Sequence, residues 1–153
     1  MPDPAETAGP GEDRWDEESG EPGQSGAPGE PEERETAYQL FQRGSELLAA
    51  RHNAQAAVVL ERAARAEPRK GSILEALGRA YYDSGQHARA AATFEAMLEL
   101  DPSAPYGHLG LGLSLERLGR LGEARTHLRL AVAMNPGNAT YRRALRRVES
   151  KSG

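Results

Sequence analysis

The chain contains no cysteine, so neither a disulfide nor a thiolate zinc site can hold it together. Lysine is almost missing, at positions 70 and 151 only, and arginine carries the rest of the positive charge. Aromatic residues make up 5% of the sequence and tryptophan occurs once, so no aromatic platform for stacking bases is evident. No apolar run approaches the roughly 17 residues that a membrane helix needs. No basic-led apolar stretch opens the sequence either, so a secretory leader is not expected and the cytoplasm is the expected location. The bias to arginine and alanine hints at a GC-rich bacterial genome.

What is present falls into two unlike parts. Residues 1–35 hold 12 acidic residues against Arg14 and Arg34, a net charge of −10. The other 118 residues hold 11 acidic and 17 basic ones, a net of +6. The first part is rich in Gly, Pro, Glu, Asp and Ser, with Trp15 as its one aromatic. Such a segment cannot bury enough apolar surface to offset roughly 1–2 kcal/mol of backbone entropy per ordered residue, and it is expected to be disordered when alone. An ordered domain is expected over residues 36–149.

From Thr36 onward a repeat of 34 residues runs through the chain. Pro68, Pro102 and Pro136 are in step, as are Gly44, Gly78 and Gly112, and Ala56, Ala90 and Ala124. Two columns of larger side chains keep the same period: Leu60, Phe94 and Leu128, and Leu47, Tyr81 and Leu115. A period of this length points to stacked helical hairpins.

Each unit supplies two amphipathic helices. In the second unit Ile73, Leu74, Leu77 and Tyr81 form one stripe, which ends at Gly85. Ala90, Ala91, Phe94, Met97 and Leu98 form the next, which Asp101-Pro102 stops because the residue before proline disfavours the helical region. Thr36 with Gln39 makes a capping box for the first helix. The units are expected at 37–70, 71–104 and 105–138. A closing helix is expected over 139–149, with Tyr141, Leu145 and Val148 inward and arginines outward. The mid-helix glycines predict points of close helix approach, with Ala56, Ala90 and Ala124 as the facing small residues. His108 is expected to be a neutral core histidine making one hydrogen bond, and Arg43 to lay its stem over apolar neighbours.

These columns resemble the tetratricopeptide repeat family over about 114 residues. Leu40, Gly44, Leu47, Ala56, Leu60, Ala63 and Pro68 carry the match in the first unit. Leu74, Leu77, Gly78, Tyr81, Ala90, Phe94 and Pro102 carry it in the second. Leu111, Gly112, Leu115, Ala124, Leu128, Ala131 and Pro136 carry it in the third. The resemblance implies an all-α fold, a right-handed superhelix of seven helices whose concave wall comes from the first helix of each unit. It implies inward-facing residues at Tyr38, Phe41, Ser45 and Leu48, at Ser72, Glu75, Arg79 and Tyr82, and at Tyr106, Leu109, Leu113 and Glu116. Arg143 and Arg147 would stand at the far end of the groove. Some family members grip a terminal carboxylate with a cationic clamp. The matching places here hold Phe41, Ser45, Ala76, Tyr106 and Gly110, so that clamp is absent.

The function expected is a protein-protein interaction module without cofactor or catalysis. Its groove would take a protein or peptide with apolar anchors and acidic residues. The acidic tail, anchored by Trp15, is a candidate internal ligand and regulator. Self-association as a structural scaffold is the alternative. A nucleic-acid-associated basic array is a weaker one, because the arginines lack a recognition helix beside them. His52, His87, His108 and His127 are scattered, which leaves no zinc constellation and no nucleophile-base pair.

Overall fold

The computed structural model describes residues 35–152, and the acidic segment with Trp15 lies outside them. Seven α-helices and no strand are found among the described residues. They are α1 (Ala37–Ala49), α2 (Asn53–Ala66), α3 (Gly71–Asp83), α4 (His87–Leu100), α5 (Pro105–Arg117), α6 (Leu121–Met134) and α7 (Ala139–Lys151). α7 thus continues to Lys151, past residue 149. No helix among the described residues is long and apolar enough to cross a membrane.

The helix ends follow from local chemistry. Thr36 accepts from the Gln39 amide at 3.1 Å while the Gln39 side chain accepts from the Thr36 amide at 2.9 Å, the reciprocal bond of a capping box. Asn138 caps α7 by accepting from the Tyr141 amide. α1, α3 and α5 all close on a left-handed residue: Arg51 at φ 67°, Gly85 at 84° and Gly119 at 80°. The next amide in each case reaches back five residues, as from Gln86 to the Tyr81 carbonyl at 2.8 Å. This bond satisfies carbonyls that the helix end would otherwise leave open. Three-residue turns then reverse the chain, and each pair packs as a hairpin.

Every helix packs on its neighbour in sequence. In addition the backbones of α1 and α3, of α3 and α5, and of α5 and α7 approach closely, whereas those of α2, α4 and α6 stand farther apart, with the long Arg89 side chain of α4 reaching Glu61 of α2 at 4.0 Å. The odd-numbered helices therefore form the tighter, concave side of a right-handed superhelix.

The core lies between the two layers. Leu60 and Leu128 are 0% exposed and Phe94 1%. The mid-helix glycines do meet a close neighbour, chiefly this large column, and at Gly112 the Ala124 backbone carbonyl as well, 3.3 Å from an added Cβ. A Cβ on Gly78 would lie 2.7 Å from the Phe94 ring, and one on Gly112 2.7 Å from Leu128. Phe94 is also pressed against Gly110 of the next unit, so one ring fills the space above two bare backbones. Ala56, Ala90 and Ala124 are fully buried in the same interface.

His108 is buried, but it makes two polar contacts where one was expected. Its Nε2 lies 2.8 Å from the Pro102 carbonyl, which only accepts, so Nε2 carries the proton. Its Nδ1 is then a lone pair and accepts from Nδ1–H of His127 at 3.1 Å. Between the first two hairpins, the Tyr81 hydroxyl donates to the Glu61 carboxylate. Burial and that bond push the phenol up to about 12.

Candidate functional site

On the concave side a cleft of about 720 Å³ lies between the third hairpin and the closing helix. It is lined by Tyr82 of α3, by Leu109, Leu113, Glu116 and Arg117 of α5, and by Thr140, Arg143, Ala144, Arg147 and Lys151 of α7. These positions follow helical spacing: 109, 113 and 116–117 share one face of α5, and 140, 143–144, 147 and 151 share one face of α7.

Glu116 organises the electrostatics. Its side chain is 2% exposed, and a carboxylate there needs partners. Arg147 supplies two, Nη2 to Oε1 at 2.7 Å and Nε to Oε2 at 2.8 Å, and Lys151 adds Nζ to Oε2 at 2.8 Å. These bonds, the Arg147 pair foremost, pull the carboxyl down to about 2 against the opposing effect of burial. The same pair raises the Arg147 guanidinium. Arg117 lies over the Tyr82 ring at 5.5 Å, and His87 meets that ring edge-on at 5.1 Å. Arg143 touches Thr140 Oγ1 at 3.3 Å. Four cations thus stand against one buried carboxylate around an apolar floor.

Of the residues expected to face inward, the cleft gathers Tyr82, Leu109, Leu113, Glu116, Arg143 and Arg147. Leu109 is its buried floor, at 6% exposure. The others lie elsewhere. Tyr38 is 66% exposed and its hydroxyl accepts from Gln42 of the same helix. Phe41 and Ser45 are half-buried, and Leu48 is in the core. Ser72 and Glu75 are exposed, and Arg79 is exposed and paired with Asp83 at 3.7 Å. Tyr106 is half-buried with its ring edge-on to Phe94, and burial raises its hydroxyl. Arg43 is half-buried. Trp15 lies outside the described residues.

Sequence reasoning missed Arg117, Thr140, Ala144 and Lys151. Arg117 and Lys151 each stand one turn beyond a residue already singled out, Leu113 and Arg147, and continuing those rows would have found them. Among the described residues no group of three or more His, Asp or Glu side chains could hold a metal ion.

A family profile described as Tetratricopeptide repeat matches residues 41–105 and again residues 75–139. The chain belongs to the tetratricopeptide repeat family. It is 32% identical over 93 residues to Superkiller complex protein 3 of Mus musculus, and it spans only 6% of that protein's length. Its fold is similar to the first tetratricopeptide domain of Spaghetti (RPAP3) bound to the HSP90 peptide SRMEEVD. The TM-score is 0.72 at 18% identity, covering 76% of this chain and 92% of the other. It is also similar to the type III secretion chaperone SycD of Yersinia enterocolitica in complex with a peptide of the translocator YopD. There the TM-score is 0.68 at 17% identity, covering 76% and 94%. At such identities these likenesses show the tetratricopeptide fold.

Proposed function

We propose that this tetratricopeptide array is a cytoplasmic protein-interaction module, and that the cleft between α5 and α7 takes a segment of a partner polypeptide. The observation that carries this reading is the composition of the cleft. Tyr82, Leu109, Leu113 and Ala144 offer apolar surface, and Arg117, Arg143, Arg147 and Lys151 surround it with positive charge. Apolar anchors with acidic neighbours complement that surface. The peptide complexes of Spaghetti and SycD support the use of this fold for peptide capture. The chaperone tail itself is not the proposed ligand, because Phe41, Ser45, Ala76, Tyr106 and Gly110 stand where a carboxylate clamp would be. The reading includes no catalysis.

Peptides selected by display against the full chain test it. They are expected to be acidic with apolar anchors, and Leu113→Ala or Tyr82→Ala should weaken them by about tenfold or more in calorimetric titration. Selected peptides indifferent to both changes would move the binding surface elsewhere. From the charge division of the sequence we propose further that residues 12–19 compete for the cleft. A synthetic copy added to a chain lacking residues 1–35 should bind at low salt and be released near about 1 M salt. Failure to bind at low salt removes the competitor.

A further inference from the structure

Two rows of side chains run along the cleft. Leu109, Leu113 and Arg117 succeed one another every fourth residue on α5, and Arg143, Arg147 and Lys151 do so on α7. With a rise of 1.5 Å per residue, each step is about 6 Å and each row about 12 Å long. The α7 row is cationic throughout, and the α5 row is apolar at its first two positions. In an extended polypeptide, side chains on one side recur every second residue, about 6.6 Å apart, and the intervening ones point the other way.

From this match we infer that the cleft reads an extended partner segment in which acidic and apolar residues alternate. The acidic side chains fall along Arg143, Arg147 and Lys151, and the apolar ones along Leu109 and Leu113. This rests on the proposed peptide-binding function and adds the ligand's conformation and register.

A further observation supports it: the buried carboxylate of Glu116 holds Arg147 by two bonds and Lys151 by one. It sets these two cations one turn apart before any ligand arrives. Arg147 keeps Nη1 and Lys151 keeps further N–H donors for a ligand, and both side chains are about half exposed, 48% and 51%. Cations placed in advance lose less side-chain entropy on binding.

The test uses the full chain and acetylated, amidated peptides, so that acidic side chains are the only carboxylates. One peptide alternates three glutamates with two leucines. A second has the same composition with the glutamates in a block, a third alternates glutamine with leucine, and a fourth is a stapled helix with glutamate at every fourth position. Fluorescence anisotropy is expected to show the alternating acidic peptide binding about tenfold tighter than the other three. Lys151→Gln leaves the Arg147–Glu116 pair in place, and a melting curve checks that the fold is kept. It should weaken the alternating acidic peptide about tenfold and leave the glutamine peptide unchanged.

Equal binding of the blocked peptide, tighter binding of the stapled helix, or no binding of the alternating one below about 1 mM would overturn the inference. So would a Lys151→Gln loss that is the same for both alternating peptides. In each of these cases the display-selected peptides still report on the cleft through Leu113→Ala. Only their indifference to both Leu113→Ala and Tyr82→Ala would move the binding surface elsewhere.

Discussion

Glu116 and Arg147 stand 31 residues apart in sequence and meet through two parallel bonds of 2.7 and 2.8 Å, which fasten the closing helix to the third hairpin. The pair is buried on the carboxylate side and half exposed on the arginine side. Its contribution to stability is therefore that of a partly screened ion pair, and it depends on the carboxylate remaining charged.

The pH dependence follows from that shift. The folded-state value of Glu116, about 2, lies below the ordinary 4.5, so the folded chain binds this proton less readily than the unfolded chain. The stability from the pair is fully present above about pH 4.5 and is lost as pH falls towards 2. Allowing for the exposed partners, we expect about 2 kcal/mol. Urea unfolding of the protein and of Glu116→Gln should differ by that amount at pH 7 and converge by about pH 2.

A second dependence lies near neutrality. Burial foremost, and then the neighbouring His108, lower the His127 value, while Glu95 and Glu123 pull it up. Protonation is thus disfavoured in the folded state. The contribution is intact above about pH 6.5, where an unfolded histidine titrates, and is lost as pH falls through the lower folded value. Titration of the His127 ring by NMR should give a midpoint below 6.5. Because His108 is buried with two polar contacts, His108→Ala should cost about 2 kcal/mol in denaturant unfolding.

The glycines divide by what lies above them. Gly78→Ala removes a helix-breaking residue but drives a methyl into Phe94, which is wedged against Gly110 and has nowhere to move. A net loss of about 2 kcal/mol is expected. Gly122, in the first turn of α6, has nothing within 4 Å of an added Cβ, so Gly122→Ala should raise stability by about 0.5 kcal/mol. Thermal melts of the two variants should shift in opposite directions.

Arg51 occupies the turn position that Gly85 and Gly119 fill in the later units, with φ at 67°. A left-handed conformation costs a residue with a Cβ about 1 kcal/mol relative to glycine. Arg51→Gly should therefore stabilise the chain by roughly 0.5–1 kcal/mol, read as a higher denaturant midpoint with an unchanged slope.

Much of the fold could be read from residue spacing, because each rule acts within a few positions along the chain. The Thr36–Gln39 capping box, the left-handed closures at Gly85 and Gly119 and the proline stops are contacts between near neighbours. The 34-residue period made the hairpin stack legible in the same way. The identity of the glycines' partner was not legible. Gly78 and Ala90 look like complementary small residues in sequence, and only the crossing of α3 and α4 places Phe94 over the bare backbone.

The sequence by itself determined the helices, their caps and their repeat, since helical pitch and backbone hydrogen bonding are local. Tertiary structure alone decided that Leu109, Leu113 and Arg117 lie across a cleft from Arg143, Arg147 and Lys151, and that Glu116 neutralises part of that cationic row. Those pairings depend on how α5 and α7 pack about α6. Side chains 31 and 35 residues apart meet only once the helices' angle and offset are set by the core beneath them.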